Sequence, residues 1–258
     1  MTTLVFDCET VPDVELGRRA FNLGDLSDEQ VAKAMFSAAQ QHTGSEFLPL
    51  EQHRVVAIAC VLRTADQLRV WSLGDLKSTE AELVGRFYDG IERYTPDLVS
   101  WNGSGFDLPV LNYRALKAGI SAPRYWESGE QDPAFRYNNY LSRYHRRHLD
   151  LMDVLSGYQP RARASLADMA ALLGLPGKLG FSGDQVWDAF QAGQLLAVRQ
   201  YCEIDALNTY LVWLRFELLR GHLDAAGHAA ELERLRQMLR SSSEPHLAKF
   251  LAAWEALH

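Results

Sequence analysis

Leu4-Val5-Phe6-Asp7-Cys8-Glu9 decides how this chain is read. The run is short and apolar, and Pro12 punctuates it, which describes a β-strand. Side chains alternate along a strand, so Asp7 and Glu9, two apart, project from one face. Two ionised carboxylates at the end of an otherwise apolar strand repel each other, and a divalent cation relieves that repulsion. On this stretch alone, a strand that simply ends at Asp7 with both acids solvated fits equally well.

Outward from that strand, residues 13 to about 50 are polar with helical periodicity and read as an insertion between two strands. Val55–Leu62 is a buried strand by its β-branched content and Leu68–Leu73 is another, joined by the polar turn Thr64-Ala65-Asp66-Gln67. Ser78-Thr79-Glu80 opens an amphipathic helix to about Tyr94. The strand Asp97–Trp101 then breaks at Asn102-Gly103-Ser104-Gly105, and a helix follows from about Asp107 to Lys117. Residues 120–147 look irregular, and Leu149–Leu151 suits a short strand. Helices are predicted over 165–173, 184–192, 195–220, 229–240 and 244–257. The order β-β-β-α-β-α-β followed by helices is an α/β layout: a sheet of about five strands covered by helices, with a helical C-terminal extension over about 221–258. The expectation is one domain over 1–258.

Composition mainly excludes. Of 258 residues, 47% are hydrophobic and 23% charged, as in an ordinary globular protein, so disorder and coiled coil are not the main state. No apolar run approaches the roughly 18 residues of a membrane span. The chain's start has neither a basic segment nor a cleavage site. Cys8, Cys60 and Cys202 are far apart and form no Cys-x-x-Cys, so a reducing, cytoplasmic location is expected. A net charge of −7 argues against coating nucleic acid by bulk positive charge, but not against gripping one strand end locally.

Two further elements carry acids. Asp107 follows the glycine-rich break, just before Pro109, in the first turn of a helix. It could be only the cap, yet a strand, a turn and a helix start deliver a side chain to the carboxyl edge of a sheet, where α/β sites form. Tyr201 and Asp205 lie four apart on one helix face, and Ile204, Leu207 and Leu211 bring the core close to Asp205. A carboxylate there needs a partner.

Asp7-x-Glu9, Asn102-Gly103-Ser104-Gly105-Phe106-Asp107-Leu108-Pro109 and Tyr201-x-x-x-Asp205 together resemble the three exonuclease motifs of the DEDD superfamily, 3′–5′ exonucleases on the RNase H-like fold. The resemblance is nearest to the proofreading exonuclease domain of family B DNA polymerases and to stand-alone bacterial relatives of it. Tyr201, with Gln200 before it, matches the tyrosine branch rather than the histidine branch. The resemblance implies catalytic roles for Asp7, Glu9, Asp107, Tyr201 and Asp205. It implies two divalent cations held by the four acids, and a single-stranded 3′ end as substrate, DNA favoured over RNA. It also implies that Thr10, Asn102 and Phe106 lie near the terminal nucleotide, and that DNA repair or replication proteins are partners.

The chemistry agrees. Two cations roughly 3.5–4 Å apart activate a water, stabilise a leaving alkoxide and neutralise phosphate charge. Four carboxylates suit hard cations, and with no His or Cys expected at the site Mg²⁺ or Mn²⁺ is favoured over zinc. Residues 133–149 lack acids and interleave Arg136, Arg143, Arg146 and Arg147 with aromatics, so Arg146 and Arg147 are candidate strand contacts. Asp150 reads as an acid supporting the site or merely ending a strand. Lys178 reads as a surface lysine, and His145-x-x-His148 as a weak metal pair. Two rivals remain at this point. One is a haloacid dehalogenase-type phosphatase, with Asp7 as nucleophile and the Gly183-Asp184 and Asp188 motif. The other is a catalytically silent RNase H-like binding module.

Overall fold

The computed structural model describes residues 2–180 and 182–257. Five strands form one mixed sheet in the order β3-β2-β1-β4-β5. They are β1 (Thr3–Pro12), β2 (His53–Arg63), β3 (Leu68–Ser72), β4 (Asp97–Ser100) and β5 (His148–Asp150). β1 is central, antiparallel to β2 and parallel to β4. Between β1 and β2 lie α1 (Val14–Phe21) and α2 (Asp28–Thr43). They share a small core of Val31, Met35, Ala39 and Leu48. The two helices approach so closely that a Cβ on Gly17 would stand 2.4 Å from the Met35 sulfur.

Alternation along β1 builds the two faces. Leu4, Phe6 and Cys8 point to α3 (Glu80–Tyr94) and α4 (Asp107–Ala118). Val5 points the other way, into a core it shares with α9 (Leu195–Leu219). Asp7 and Glu9 continue the Val5 face toward α9, and a bulge between Glu9 and Thr10 then shifts the register. The C-terminal helices α10 (Ala225–Ser241) and α11 (Pro245–Glu255) add Leu235, Leu239, Phe250 and Trp254 to that same core. Glu231 of α10 pairs with Arg63 at the end of β2.

The remaining helices are short: α5 (Pro123–Trp126), α6 (Leu151–Leu155), α7 (Leu166–Leu173) and α8 (Val186–Gln191). Two boundaries differ from those expected. The last strand ends at Asp150, because its carboxylate accepts from Met152 N and Asp153 N and caps α6, which periodicity over so few residues does not show. β4 stops at Ser100, because Asn102 takes φ +63° and turns the chain. No described helix is long and apolar enough to cross a membrane.

Candidate active site

β1 ends its apolar stretch at the carboxyl edge of the sheet, where the turn after β4 and the middle of α9 meet it. The Asp107 carboxylate accepts from the Cys8 backbone N–H at 2.9 Å, which ties the first turn of α4 to β1. From the opposite face, the Cys202 thiol donates to the Asp7 backbone oxygen at 3.3 Å and to its carboxylate at 3.4 Å. The ligand atoms of Asp7, Glu9 and Cys202 lie within 4.8 Å of one another. One turn further along α9, the Tyr201 hydroxyl donates to the Asp205 carboxylate.

The electrostatics show how closely the four acids crowd. Burial, then the charges of Asp107, Glu9 and Asp205, hold Asp7 well above the usual carboxylate range. Burial, then Asp205 and Asp107, does the same to Glu9, which keeps 9% of its surface. Burial raises Asp107 to about 6 against the hydrogen bonds from Cys8, and raises Asp205 to about 6 against that from Tyr201. Four mutually repelling carboxylates, Glu9 and Asp107 buried and Asp7 and Asp205 half-buried, are an oxygen-rich donor set that hard divalent cations satisfy. Tyr201 is buried and faces acids, so its phenol is pushed far up and stays protonated.

Two site residues escape a reading of the sequence. Cys202 and Cys8 stand among the acids, contrary to the expectation of no cysteine there. Burial and the neighbouring carboxylates hold both thiols well above their ordinary value, so they act as hydrogen-bond donors rather than thiolate ligands. Lys178 is exposed, as expected of a surface lysine, and lies 5.9 Å from the Tyr201 ring, where its charge opposes the upward shifts of Glu9 and Asp205.

The turn carrying Asp107 rests on Asp150. Its carboxylate, buried at the end of β5, accepts from Asn102 N at 3.0 Å and Ser104 N at 2.9 Å. Asn102 O in turn accepts from Gly105 N and Phe106 N. A Cβ on Gly105 would stand 2.5 Å from the Asn102 side-chain oxygen, so any larger residue there has to displace the Asn102 side chain. Beside the acids runs a cleft of about 530 Å³ lined by Glu9, Thr10, Phe47, His53, Phe106 and Trp187 among others. Thr10 Oγ1 is 2.8 Å from His53 Nδ1, and His53 Nε2 is 3.1 Å from Leu48 O. A carbonyl only accepts, so Nε2 carries the proton and Thr10 donates to Nδ1. Phe106 packs on Phe47 and His53, with ring centroids 5.6 and 5.0 Å away.

Arg146 and Arg147 are not brought to the acids. They immediately precede β5, at the amino edge of the sheet, where Leu98 N donates to Arg147 O. The Arg147 guanidinium lies 3.8 Å from the Phe135 ring centroid and donates to Asn138 O, while Arg143 pairs with buried Asp153. Phe135 and Tyr140 of this stretch are core residues. Two of the four rings of this stretch face inward with Arg147 over them, whereas Tyr137 and Tyr144 are exposed. His148 bonds Ser100, and His145 accepts from Asn139 N, so each is occupied separately. Asp184 and Asp188, the phosphatase motif, line the cleft, whereas Asp107 and Asp205 are the acids whose charges act on Asp7 and Glu9.

A mixed five-stranded sheet flanked by helices, with four acids gathered at its carboxyl edge, is the α/β RNase H-like exonuclease fold. The chain belongs to the family described as predicted 3′–5′ exonucleases related to the exonuclease domain of PolB, whose model matches residues 45–254. That match includes Asp107, Tyr201 and Asp205, with Asp7 and Glu9 N-terminal to it. The chain is also similar to DNA polymerase 1 of Saccharolobus solfataricus, 50% identical over 42 residues, covering 16% of this chain and 5% of that protein. A DNA polymerase of Pyrococcus glycovorans is 33% identical over 88 residues, 32% of this chain and 11% of that protein. The chain thus spans only a small part of the length of either relative.

Proposed function

We propose that this protein is a metal-dependent 3′–5′ exonuclease that hydrolyses the terminal phosphodiester of single-stranded nucleic acid, DNA in preference to RNA. The observation that carries the proposal is the convergence of Asp7, Glu9, Asp107 and Asp205, from three distant parts of the chain, into one cluster of raised carboxylates tied together through Cys8 and Cys202, beside a protonated tyrosine. The preference for DNA rests on the DNA polymerases among its relatives.

Asp7, Glu9, Asp107 and Asp205 would hold two Mg²⁺ or Mn²⁺ ions. Bound there, these would supply an activated water, charge neutralisation at phosphorus and stabilisation of the leaving 3′ oxygen. Tyr201 holds its proton and orients the attacking water; a phenol with an ordinary pKa near ~10 is a poor base at neutral pH. Asp205 fixes that hydroxyl one helical turn away. Thr10 and Phe106, which line the cleft beside the acids, and Asn102, in the turn that carries Asp107, would meet the terminal nucleotide, and Lys178 opposes negative charge on the Glu9 and Asp205 side.

The test is digestion of 3′- and 5′-labelled single- and double-stranded DNA and RNA, with Mg²⁺, Mn²⁺ or a chelator. Stepwise release of mononucleotides from the 3′ end of single-stranded DNA, abolished by chelation, is expected. Internal cleavage, release from the 5′ end or metal-independent turnover would contradict the reading.

A further inference from the structure

A second groove, of about 780 Å³, lies between α3 and β3, at the sheet edge opposite β5. Its floor is sheet face that α3 leaves uncovered, including Leu62 and Trp71. Arg69, Arg86 and Arg93 stand around it, and none of the three is ion-paired among the described residues. Arg69 and Arg93 lie instead over the rings of Trp71 and Tyr94, at 5.4 and 5.1 Å, with Tyr94 59% exposed. Two acids share the groove, and one of them, Asp75, already accepts from Lys77 N and Ser78 Oγ. Three arginines against two acids make a locally positive surface on a chain of net charge −7.

Two features of the backbone point to what fits there. Gly90 lines the groove from within α3, and nothing lies within 4 Å of where its Cβ would be. An interior helix glycine destabilises by roughly 1 kcal/mol relative to alanine, and nothing in the chain's own packing requires it. It does leave room for a second backbone. In addition, β3 is the outermost strand. Leu73 N donates to Ile58 O on the β2 side, so by alternation Leu68, Val70 and Ser72 turn their backbone groups outward. Arg199 takes the Ser72 carbonyl, while the outward N–H and C=O of Val70 meet no partner among the described residues.

We propose that this edge and groove bind an extended acidic segment of a partner protein. The segment pairs with β3 and sets its carboxylates against Arg69, Arg86 and Arg93. A polypeptide fits better than a nucleic-acid strand. A peptide offers both a donor and an acceptor to Val70, whereas a phosphodiester backbone offers no donor and meets Asp75 and Asp89. This surface lies apart from the carboxylate cluster and does not depend on its chemistry.

Fluorescence anisotropy tests it with two synthetic probes, a labelled peptide of alternating Asp and Ile and its counterpart of alternating Lys and Ile. The acidic probe should bind the full chain at least about tenfold more tightly than the basic one, and more weakly as salt rises. Arg86→Glu with Arg93→Glu should reverse that order. Gly90→Leu should weaken acidic-probe binding while raising the melting temperature, a combination that a purely structural glycine would not produce. Neither variant should alter affinity for oligothymidylate. Equal binding of the two probes, or an acidic-probe affinity that survives charge reversal, would overturn the proposal. So would a loss of oligothymidylate affinity in the reversed variant, which would make the groove a nucleic-acid track.

Discussion

Asp150→Asn changes one atom of the site's support and tests whether the turn carrying Asp107 is held as described. In the native protein one carboxylate oxygen accepts from Asn102, Met152 and Asp153, at 3.0, 3.1 and 3.3 Å, and the other accepts from Ser104 at 2.9 Å. An amide oriented to keep the first three bonds aims its NH₂ at the Ser104 N–H. A charge-assisted bond worth about 1.5–3 kcal/mol is lost, and a buried donor left unmatched adds about 1–3 kcal/mol. The expected destabilisation is therefore about 3–5 kcal/mol, read as a fall in melting temperature of roughly 6–20 °C. Urea unfolding measures the first quantity and a thermal scan the second. Single-turnover digestion of a 3′-labelled oligonucleotide should slow in the same variant, and the slowing should persist at saturating Mn²⁺, because Asp107 itself is intact. A destabilisation below about 1 kcal/mol with unchanged turnover would refute the reasoning, since a charge-assisted bond could not be lost and its buried donor left unmatched so cheaply.

Tyr201→Phe should fold and bind cations normally but turn over on the order of 10- to 1000-fold more slowly, whereas Asp205→Ala should lose more and be partly rescued by Mn²⁺; titrations of turnover against Mn²⁺ separate the two, and wild-type turnover in either would remove the role given to it. Arg114→Met should destabilise by about 3 kcal/mol, the low end for a broken buried pair, in urea unfolding, because buried Arg114 bridges Asp13 at 2.7 Å and Glu80 at 2.5 Å and its loss leaves Asp13 with Lys117 alone. The same network sets an acid limb. Burial pushes Asp13 up, but hydrogen bonds from Lys117 and Arg114 outweigh it and hold it at about 2. Its stabilisation, on the order of 2 kcal/mol, should be complete above about pH 4 and be lost as pH falls toward 2, a limb that Asp13→Asn should flatten.

How much the sequence reveals depends on the range of the interaction concerned. The five-stranded layout, the insertion and α9 are legible because each follows a local period, and the acids of β1 and α9 because two- and four-residue spacings fix their faces. The placement of Arg146 and Arg147 is illegible for the converse reason: composition shows cations among rings but not which sheet edge they occupy or that Phe135 is buried. Asp150 acts on backbone N–H groups up to 48 positions away, and Cys202 meets Asp7 across 195. No local pattern records such pairs.

The spread of the acids along the chain also sets when the cluster exists. Asp7 and Glu9 are made early in synthesis, Asp107 later, and Asp205 only on α9, after all five strands have been laid down. Pairings this distant form late in folding, because the loops they close must be ordered first. A nascent chain shorter than about 205 residues therefore carries at most three of the four carboxylates, and a protein cut anywhere between Asp107 and Asp205 divides the set between two fragments. Chain growth itself thus acts as a safety catch: nothing that emerges from a ribosome before α9 docks has the complete cluster on which the proposed chemistry depends.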